Sequence, residues 1–318
     1  MILAHHSHFF LMATNNITDY LVFHPKCRAT LALSLVARSK KTFTLKEIDQ
    51  SIFPDKEPNF TLPSLHDCYN RDVLYIADWS SPAARWHDML CLFPIAERNP
   101  RTLTIILPFL GSGTMERESA DGIIATANVE AKMLSVLPGR SLKRVITIDL
   151  HTLQNQFYYA DTCVTMASYM PHLERDAPER VICFPDNGAK SRFAKYFEGC
   201  KIALCGKQRH GEEGRKITLE EGDVAGYDVL IVDDLVRTGG TLLACAEVLK
   251  AHGAKSISVF VTHSVFPNQS WAKFLENDLI QRFITTDSVY SIVEEIRAVD
   301  TKGKFDIRDL AECLYQLL

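Results

Sequence analysis

The sequence contains no Cys-x-x-Cys pair. Its nine cysteines, at positions 27, 68, 91, 163, 183, 200, 205, 245 and 313, are scattered, so neither a zinc site nor a disulfide framework is indicated. Reduced, dispersed thiols fit a cytoplasmic protein. Long apolar runs are also missing: none approaches the roughly 20 residues that a membrane helix requires, so no membrane partner is expected. Nor is there an excess of charge of one sign. A net charge of −4 and a pI near 6.3 give no general pull toward nucleic acid or anionic lipid, and any phosphate chemistry must be local. The opening stretch, MILAHHSHFFLMATNN, has neither a Lys/Arg-rich leader nor an apolar core, which argues against a secretory signal. Residues 1–18 read as a poorly ordered tail in which His5, His6 and His8 cluster by chance. Patterned sequence begins near Asp19, and Met12 is an alternative start.

What is present is a chain of 318 residues, 47% hydrophobic and 23% charged, long enough for a large core or two medium domains. Strand-like and helix-like segments alternate along it. DYLVFH, DVLYIADW, TLTIILPFL and RVITIDLH read as strands, separated by the helical patterns RATLALSLVARS, RWHDMLCLFPIAER and DGIIATANVEAKMLSVL. The second half repeats the rhythm with VICFPD, AKSRFAKYFEG, KIALCG, YDVLIVDD, TLLACAEVLKAHG and SISVFVTHSVF. Short apolar runs joined by amphipathic helices indicate βαβ units, so each half is expected to carry a mostly parallel sheet flanked by helices. The expected division is 19–159 and 160–318, closely packed because no Gly/Pro linker separates the halves.

In open α/β sheets ligands sit beyond the carboxyl ends of the strands, and four such ends carry unusual chemistry. In VLIVDDLVRTGGTLL a buried strand delivers Asp233 and Asp234, and Arg237, Thr238, Gly239, Gly240 and Thr241 form the turn into a helix. Glycines let backbone N–H groups approach an anion, the helix N-terminus adds partial positive charge, and the threonines can donate to phosphate or cap the helix. The aspartates cannot bind that phosphate; they suit sugar hydroxyls and an accompanying Mg²⁺. The combination describes a pocket for a ribose 5-phosphate moiety.

At the second end, VITIDLHTLQNQFYY, a strand closes on Asp149-Leu150-His151. An imidazole there can serve a Mg²⁺ ion or phosphates, or pack as an ordinary core histidine. The third, IFPDKEPNF, offers Phe53 as an aromatic face with Asp55 and Glu57 as acceptors, or is a solvated acidic loop. In the fourth, KIALCGKQRHGEEGRK, Lys207 and Arg209 follow a strand and lead into a Gly- and charge-rich loop that could close over a polyphosphate, or merely be solvated.

The TGGT stretch resembles the phosphoribosyl pyrophosphate (PRPP) loop of the phosphoribosyltransferase fold, which hosts both enzymes that consume PRPP and PRPP synthetases that make it. Fold does not choose between them. The DLHTLQNQFYY stretch resembles the DLHxxQxQxFF signature of PRPP synthetases, which simple transferases lack, and with the Phe-x-Asp-x-Glu and Lys-x-Arg segments the resemblance covers residues 19 to 318. LPFLGSGTMERESADG and HGAKSISVFVTHSVFPNQSW resemble the plant-type, class II forms. The resemblance implies two tandem phosphoribosyltransferase-type domains and a diphosphokinase acting on Mg-ATP and ribose 5-phosphate. The 53–57 loop would hold adenine, usually from a neighbouring subunit, in a homo-oligomer built from dimers up to a hexamer. His151 and Asp186 (in FPDNGAKSRF) would be the metal ligands, and Lys207 and Arg209 the transition-state cations.

The sequence departs from the family's pattern at three places. Thr114 and Met115 stand where class I has an Arg-Gln pair touching ATP, with Arg117 the candidate substitute; Ser191 stands where the family's lysine falls, with Lys190 one place early; and Arg237 replaces a class I aspartate. A PRPP-consuming transferase, a catalytically silent homologue and a regulator that binds ribose phosphate without chemistry stay open as alternatives on the sequence alone.

Overall fold

The computed structural model describes residues 20–159, 162–173, 180–209 and 215–318. The expected tail at 1–18 lies outside them. Seven strands, β1 (Tyr20–Pro25), β2 (Phe43–Ile52), β3 (Pro58–Thr61), β4 (Asp72–Ile76), β5 (Thr102–Leu107), β6 (Leu142–Ile148) and β7 (Cys163–Ala167), form one sheet in the order β3-β2-β1-β4-β5-β6-β7. Seven more, β8 (Val181–Phe184), β9 (Lys201–Arg209), β10 (Arg215–Glu221), β11 (Asp228–Val236), β12 (Ser256–Ser264), β13 (Arg282–Thr286) and β14 (Phe305–Arg308), form a second in the order β10-β9-β8-β11-β12-β13-β14. Each sheet is parallel except at one edge, where β3 runs antiparallel to β2 and β10 antiparallel to β9. Strand for strand, the second half repeats the first.

The central strands read as unbroken apolar runs because both of their faces are buried. In β4, Val73 and Tyr75 face one core while Leu74 and Ile76 face another; in β11, Val229 and Ile231 face outward to their domain's own core while Leu230 and Val232 face the middle. Helices α2 (Pro82–Glu97) and α3 (Thr126–Ser135) cover the outside of the first sheet, and α5 (Gly240–Ala251) and α7 (Tyr290–Val299) that of the second. Between the sheets lies one continuous cluster containing Leu31 and Leu35 of α1 (Ala29–Arg38), Phe193 of α4 (Asn187–Phe193) and Leu314 of α8 (Ala311–Leu314). The close packing expected of the halves is therefore a shared apolar layer.

Two features tie the chain around the expected division at 160. Cys163–Ala167 is the seventh strand of the first sheet, pairing with β6, because its edge completes that ladder. The C-terminal end returns to the first half: α8 packs on α1, and Arg144 donates to the Leu317 carbonyl at 2.8 Å. A buried arginine adds a polar staple. Arg28, just beyond β1, donates to the carbonyls of Asp287 and Ser288 in the second half at 3.1 and 2.9 Å and to Asp78 Oδ1 in the first at 3.3 Å.

Candidate functional site

The carboxyl ends of β4, β5 and β6 meet those of β11 and β12 around a cleft of about 250 Å³. Ser80, Pro82 and Arg85 line it from the β4–α2 junction, residues 109–115 from the segment after β5, and Asp149 to His151 from the end of β6. Asp234, Leu235, Arg237, His263 and Val265 come from the second half. Two of the four strand ends singled out in the sequence, separated by more than 80 residues, are thus brought to one cleft.

Their contact is direct. His151 Nδ1 lies 2.9 Å from Asp234 Oδ2. A third residue completes the cluster: Arg192, at the end of α4, donates from Nη2 to Asp234 Oδ1 at 2.8 Å and from Nη1 to the His151 carbonyl at 2.7 Å, and lies 3.7 Å from Asp233 Oδ1. Burial opposes charge on Asp234, but the His151 hydrogen bond and the Arg192 guanidinium outweigh it and hold this carboxyl well below the usual carboxylate range. Burial and the adjacent Asp234 charge push Asp233 in the other direction, up.

The two aspartates differ in their surroundings. Asp234 is buried, with one oxygen against His151 and the other against Arg192. Asp233 is the more open of the two. Beyond them, Gly239 has φ +79° and caps α5, and a Cβ there would lie 2.5 Å from the Phe274 ring, so the turn admits only glycine. Gly240 faces open space. Ser270 and Lys273 tie the loop down by donating to the carbonyls of Arg237 and Thr238 at 3.0 and 2.8 Å. Thr238 and Gly240 are exposed.

The turn after β6 is held in place by Asp149, a buried residue with the unusual φ of +37°. Its carboxylate accepts from Thr262 Oγ1 at 2.7 Å and Tyr169 N at 3.1 Å, while burial pushes its pKa up. His263, which the sequence reading passed over, sits fully buried on the cleft wall. Its ring nitrogens meet Ser288 Oγ at 2.9 Å and the Ile148 carbonyl at 3.1 Å, and burial lowers its pKa to about 4. It is a neutral bridge between the sheets.

The remaining sequence-derived residues divide. Asp186 caps α4, accepting from Ala189 N at 3.0 Å, and among the described residues no group of three His, Cys, Asp or Glu side chains forms a ready metal cage. A Mg²⁺ ion fits nonetheless, because Mg²⁺ keeps waters and substrate phosphates and needs few protein ligands. The bond from Nδ1 to Asp234 leaves His151 Nε2 free, an arrangement in which a carboxylate orients a metal-binding imidazole. Lys190, one place before Ser191, is paired with Glu221 away from the cleft; the cation of this segment that enters the site is Arg192. Arg117 is 80% exposed, bound to its neighbour Glu116 at 2.9 Å, and does not line the cleft.

Phe53, Asp55 and Glu57 form the tight turn of the β2–β3 hairpin, closed by the Phe53 N–H donating to the Glu57 carbonyl at 2.8 Å, and are not part of the cleft wall. Lys207 and Arg209 do not follow β9 but belong to it, opposite Ile217 and Arg215 of β10, because the polar run pairs as a hairpin arm. The loop at 210–214 lies outside the described residues. Arg192, His263 and Arg28 escaped the sequence reading. For His263 the signal was available, a histidine at a strand end in VFVTHS; for the two arginines it was not, since their partners are distant in the chain.

The comparisons with known proteins agree with this architecture. Residues 132–280 match the phosphoribosyl transferase domain family. The phosphoribosylpyrophosphate synthetase of Mycobacterium smegmatis superposes with a TM-score of 0.78 at 18% identity, covering 94% of this chain and 97% of that one, which shows the two-domain fold. Ribose-phosphate pyrophosphokinase 4 of Arabidopsis thaliana is 35% identical over 88% of this chain and 86% of its own length. The chloroplastic ribose-phosphate pyrophosphokinase 3 of Oryza sativa subsp. japonica is 35% identical over 92% of this chain and 74% of its own. With relatives this similar over this much of both chains, and the DLH turn in direct contact with the DD strand end, the chain belongs to the ribose-phosphate pyrophosphokinase family.

Proposed function

We propose that this chain is an active ribose-phosphate diphosphokinase. The anomeric hydroxyl oxygen of ribose 5-phosphate attacks the β-phosphorus of Mg-ATP, the bond from that phosphorus to the α,β-bridging oxygen breaks, and AMP leaves as PRPP forms. No covalent enzyme intermediate is needed, so the protein's work is positioning and charge stabilisation. The observation that carries this proposal is the His151–Asp234–Arg192 cluster, which couples the first half's strand end to the second half's sugar-phosphate loop.

In this scheme residues 238–241 bind the 5-phosphate and Asp233 accepts from the ribose. His151 and Asp186 hold Mg²⁺ with the nucleotide phosphates, and Lys207 and Arg209 neutralise charge in the transition state. Mg²⁺ would screen the phosphates and polarise the β-phosphorus when bound. Because the 53–57 turn does not line its own cleft, adenine is held by that turn from a second copy, which makes a dimer-based homo-oligomer the working unit. No described helix is long and apolar enough to cross a membrane, and none of the nine cysteines forms a disulfide, which is compatible with a cytoplasmic enzyme; relatives named as chloroplastic and mitochondrial make localisation by a fluorescent fusion worthwhile.

The test is to incubate the protein with ATP, Mg²⁺ and ribose 5-phosphate. Equal amounts of AMP and PRPP are expected. Consumption of PRPP with a nucleobase would indicate a transferase instead, and absence of turnover with intact ribose 5-phosphate binding would indicate a silent homologue.

A further inference from the structure

We propose that Arg85 is the residue that grips the nucleotide's polyphosphate in the cleft, the role the sequence suggested for Arg117. The inference rests on the diphosphokinase reading for the identity of the ligand, but its geometry is independent of it. The wall formed by Phe109 to Met115 contains no cation. Across from it, Arg85 is the cleft-lining cation contributed by the first half, apart from His151, which is already committed to Asp234.

The guanidinium is held for binding and not consumed by its support. Its Nε lies 2.9 Å from Glu130 Oε1 on α3, and Glu130 Oε2 accepts from Ser112 Oγ at 2.6 Å, so one carboxylate fixes both the arginine and the opposing wall. The pair is mostly buried, at 18% and 14% side-chain exposure, which fixes the fork's orientation. Nη1 and Nη2 have no further hydrogen-bond partner among the described residues. Two parallel donors at the edge of a cleft are matched to two phosphate oxygens, a geometry an ammonium group cannot copy. Gly111 makes room for this arrangement: a Cβ there would approach Arg85 Nη1 to 2.9 Å.

The fold's internal repeat supports the assignment. The two sheets share one strand order, so β4 and α2 occupy in the first half the place that β11 and α5 occupy in the second. Both junctions stand beside the point where strand order reverses, between β1 and β4 and between β8 and β11, the position where open α/β sheets bind ligands. The β11–α5 junction carries the sugar-phosphate loop and Arg237; the β4–α2 junction carries Ser80, Pro82 and Arg85. One junction serves each substrate.

A purely structural Arg85–Glu130 pair would affect folding without distinguishing ligands, and the experiment uses that difference. Calorimetry of the full chain with Mg²⁺ and α,β-methylene-ATP, and separately with ribose 5-phosphate, would be run on wild type, Arg85→Ala, Arg85→Lys and Gly111→Ala. Arg85→Ala is expected to weaken the nucleotide analogue at least tenfold and ribose 5-phosphate less than twofold. Arg85→Lys should keep the fold and recover only part of the affinity, and Gly111→Ala should show the same signature with the arginine present but displaced. Should Arg85→Ala fail to fold, Arg85→Lys decides: nucleotide affinity equal to wild type overturns the proposal. So does unchanged analogue binding in a folded Arg85→Ala, or equal weakening of both ligands. If wild type binds the analogue in an Arg85-dependent way but makes no PRPP, the diphosphokinase reading falls and this site stands; if wild type makes PRPP and Arg85→Ala binds normally, only this site falls. A wild type that does not bind the analogue sinks both.

Discussion

Replacing Arg192 with alanine tests whether the two domains are coupled through the site. The guanidinium makes three hydrogen bonds, two of them across the site to Asp234 Oδ1 and to the His151 carbonyl and one at 3.2 Å to the Gly188 carbonyl of its own helix, and the side chain is 14% exposed, so little solvent screening applies. Such bonds are worth about 1.5–3 kcal/mol each, and removing one partner of a buried pair costs about 3–5 kcal/mol because the other charge is stranded. Asp234 retains His151, whose outer edge is open to water, so the lower end applies: about 3 kcal/mol, or roughly 4–5 °C in Tm for a chain of 318 residues. The pH dependence separates this from a generic packing defect. Asp234's folded pKa lies below its unfolded value, so its stabilisation is fully present above the unfolded value, about 3.9, and is lost as pH falls through the folded one. Without Arg192 that pKa rises, so the gap between wild type and variant should be widest at neutral pH and narrow below about pH 4. Arg192→Lys, keeping the charge but not both bonds, should recover about half. Scanning calorimetry at pH 7 and at pH 4 reads all of this. A loss under about 1 kcal/mol that is the same at both pH values would refute the reasoning.

For Lys207→Ala and Arg209→Ala, kcat should fall about 10²–10³ each while KM values move little, and the double variant should be less than multiplicative because both act in one closed state; normal turnover in both singles would remove them from the mechanism. Asp88 is buried on α2, where burial raises its pKa to about 7 despite hydrogen bonds from Tyr75 Oη at 2.8 Å and Trp79 N at 2.9 Å. A raised carboxyl pKa means the folded state holds its proton longer, so stability should decline as pH rises from about 4 to 7 by an amount on the order of 3–4 kcal/mol, and Asp88→Asn, able to donate to Tyr75 Oη and accept from Trp79 N, should flatten that slope in urea titrations. Gly239→Ala should weaken ribose 5-phosphate binding more than tenfold, since its Cβ collides with Phe274, while Gly240→Ala should leave Tm unchanged; equal Tm losses in the two would contradict the loop geometry.

How far the sequence could be read depended on what was local. DYLVFH, TLTIILPFL and YDVLIVDD were legible as strands because burial on both faces makes them continuously apolar. FTLKEIDQSI was not, because β2 is largely half-exposed and its polar residues mask the pairing with β1 and β3. The strands β7, β13 and β14 were missed as short segments without a helix-length interval to mark them. In the site, DLH and DD–TGGT could be found because each is contiguous. Arg192 lies 42 residues from Asp234, and Arg28 lies 259 from Asp287, so their roles exist only after folding. Arg117 drew attention by proximity to the departing motif but lies off the cleft, whereas Arg85 lines it from another strand end.

The repeated strand order offers a reason for this division of labour between the halves. An isolated βαβ domain of this kind presents one strand-end crevice, which can hold one substrate. Two copies packed through a shared apolar layer bring two such crevices edge to edge, and the reaction requires two polyanionic substrates to meet despite their repulsion. The structure places basic side chains at the seam and fixes them with carboxylates: Asp234 between His151 and Arg192, Glu130 behind Arg85. The hairpins are equivalent as well. β2–β3 carries Phe53, Asp55 and Glu57 at its turn, and β9–β10 carries Lys207 and Arg209 on its first arm, each at the antiparallel edge of its sheet. On this view the sequence differences between the halves, an aromatic acidic turn in one and a basic arm in the other, are what turned a duplicated ligand-binding fold into a site with a donor side and an acceptor side. Exchanging the turn 53–57 for a Gly/Ser turn of equal length should therefore leave each domain folded and ribose 5-phosphate binding intact while raising the KM for ATP at least tenfold. Loss of ribose 5-phosphate affinity to the same degree would show that the two hairpins are not specialised in this way.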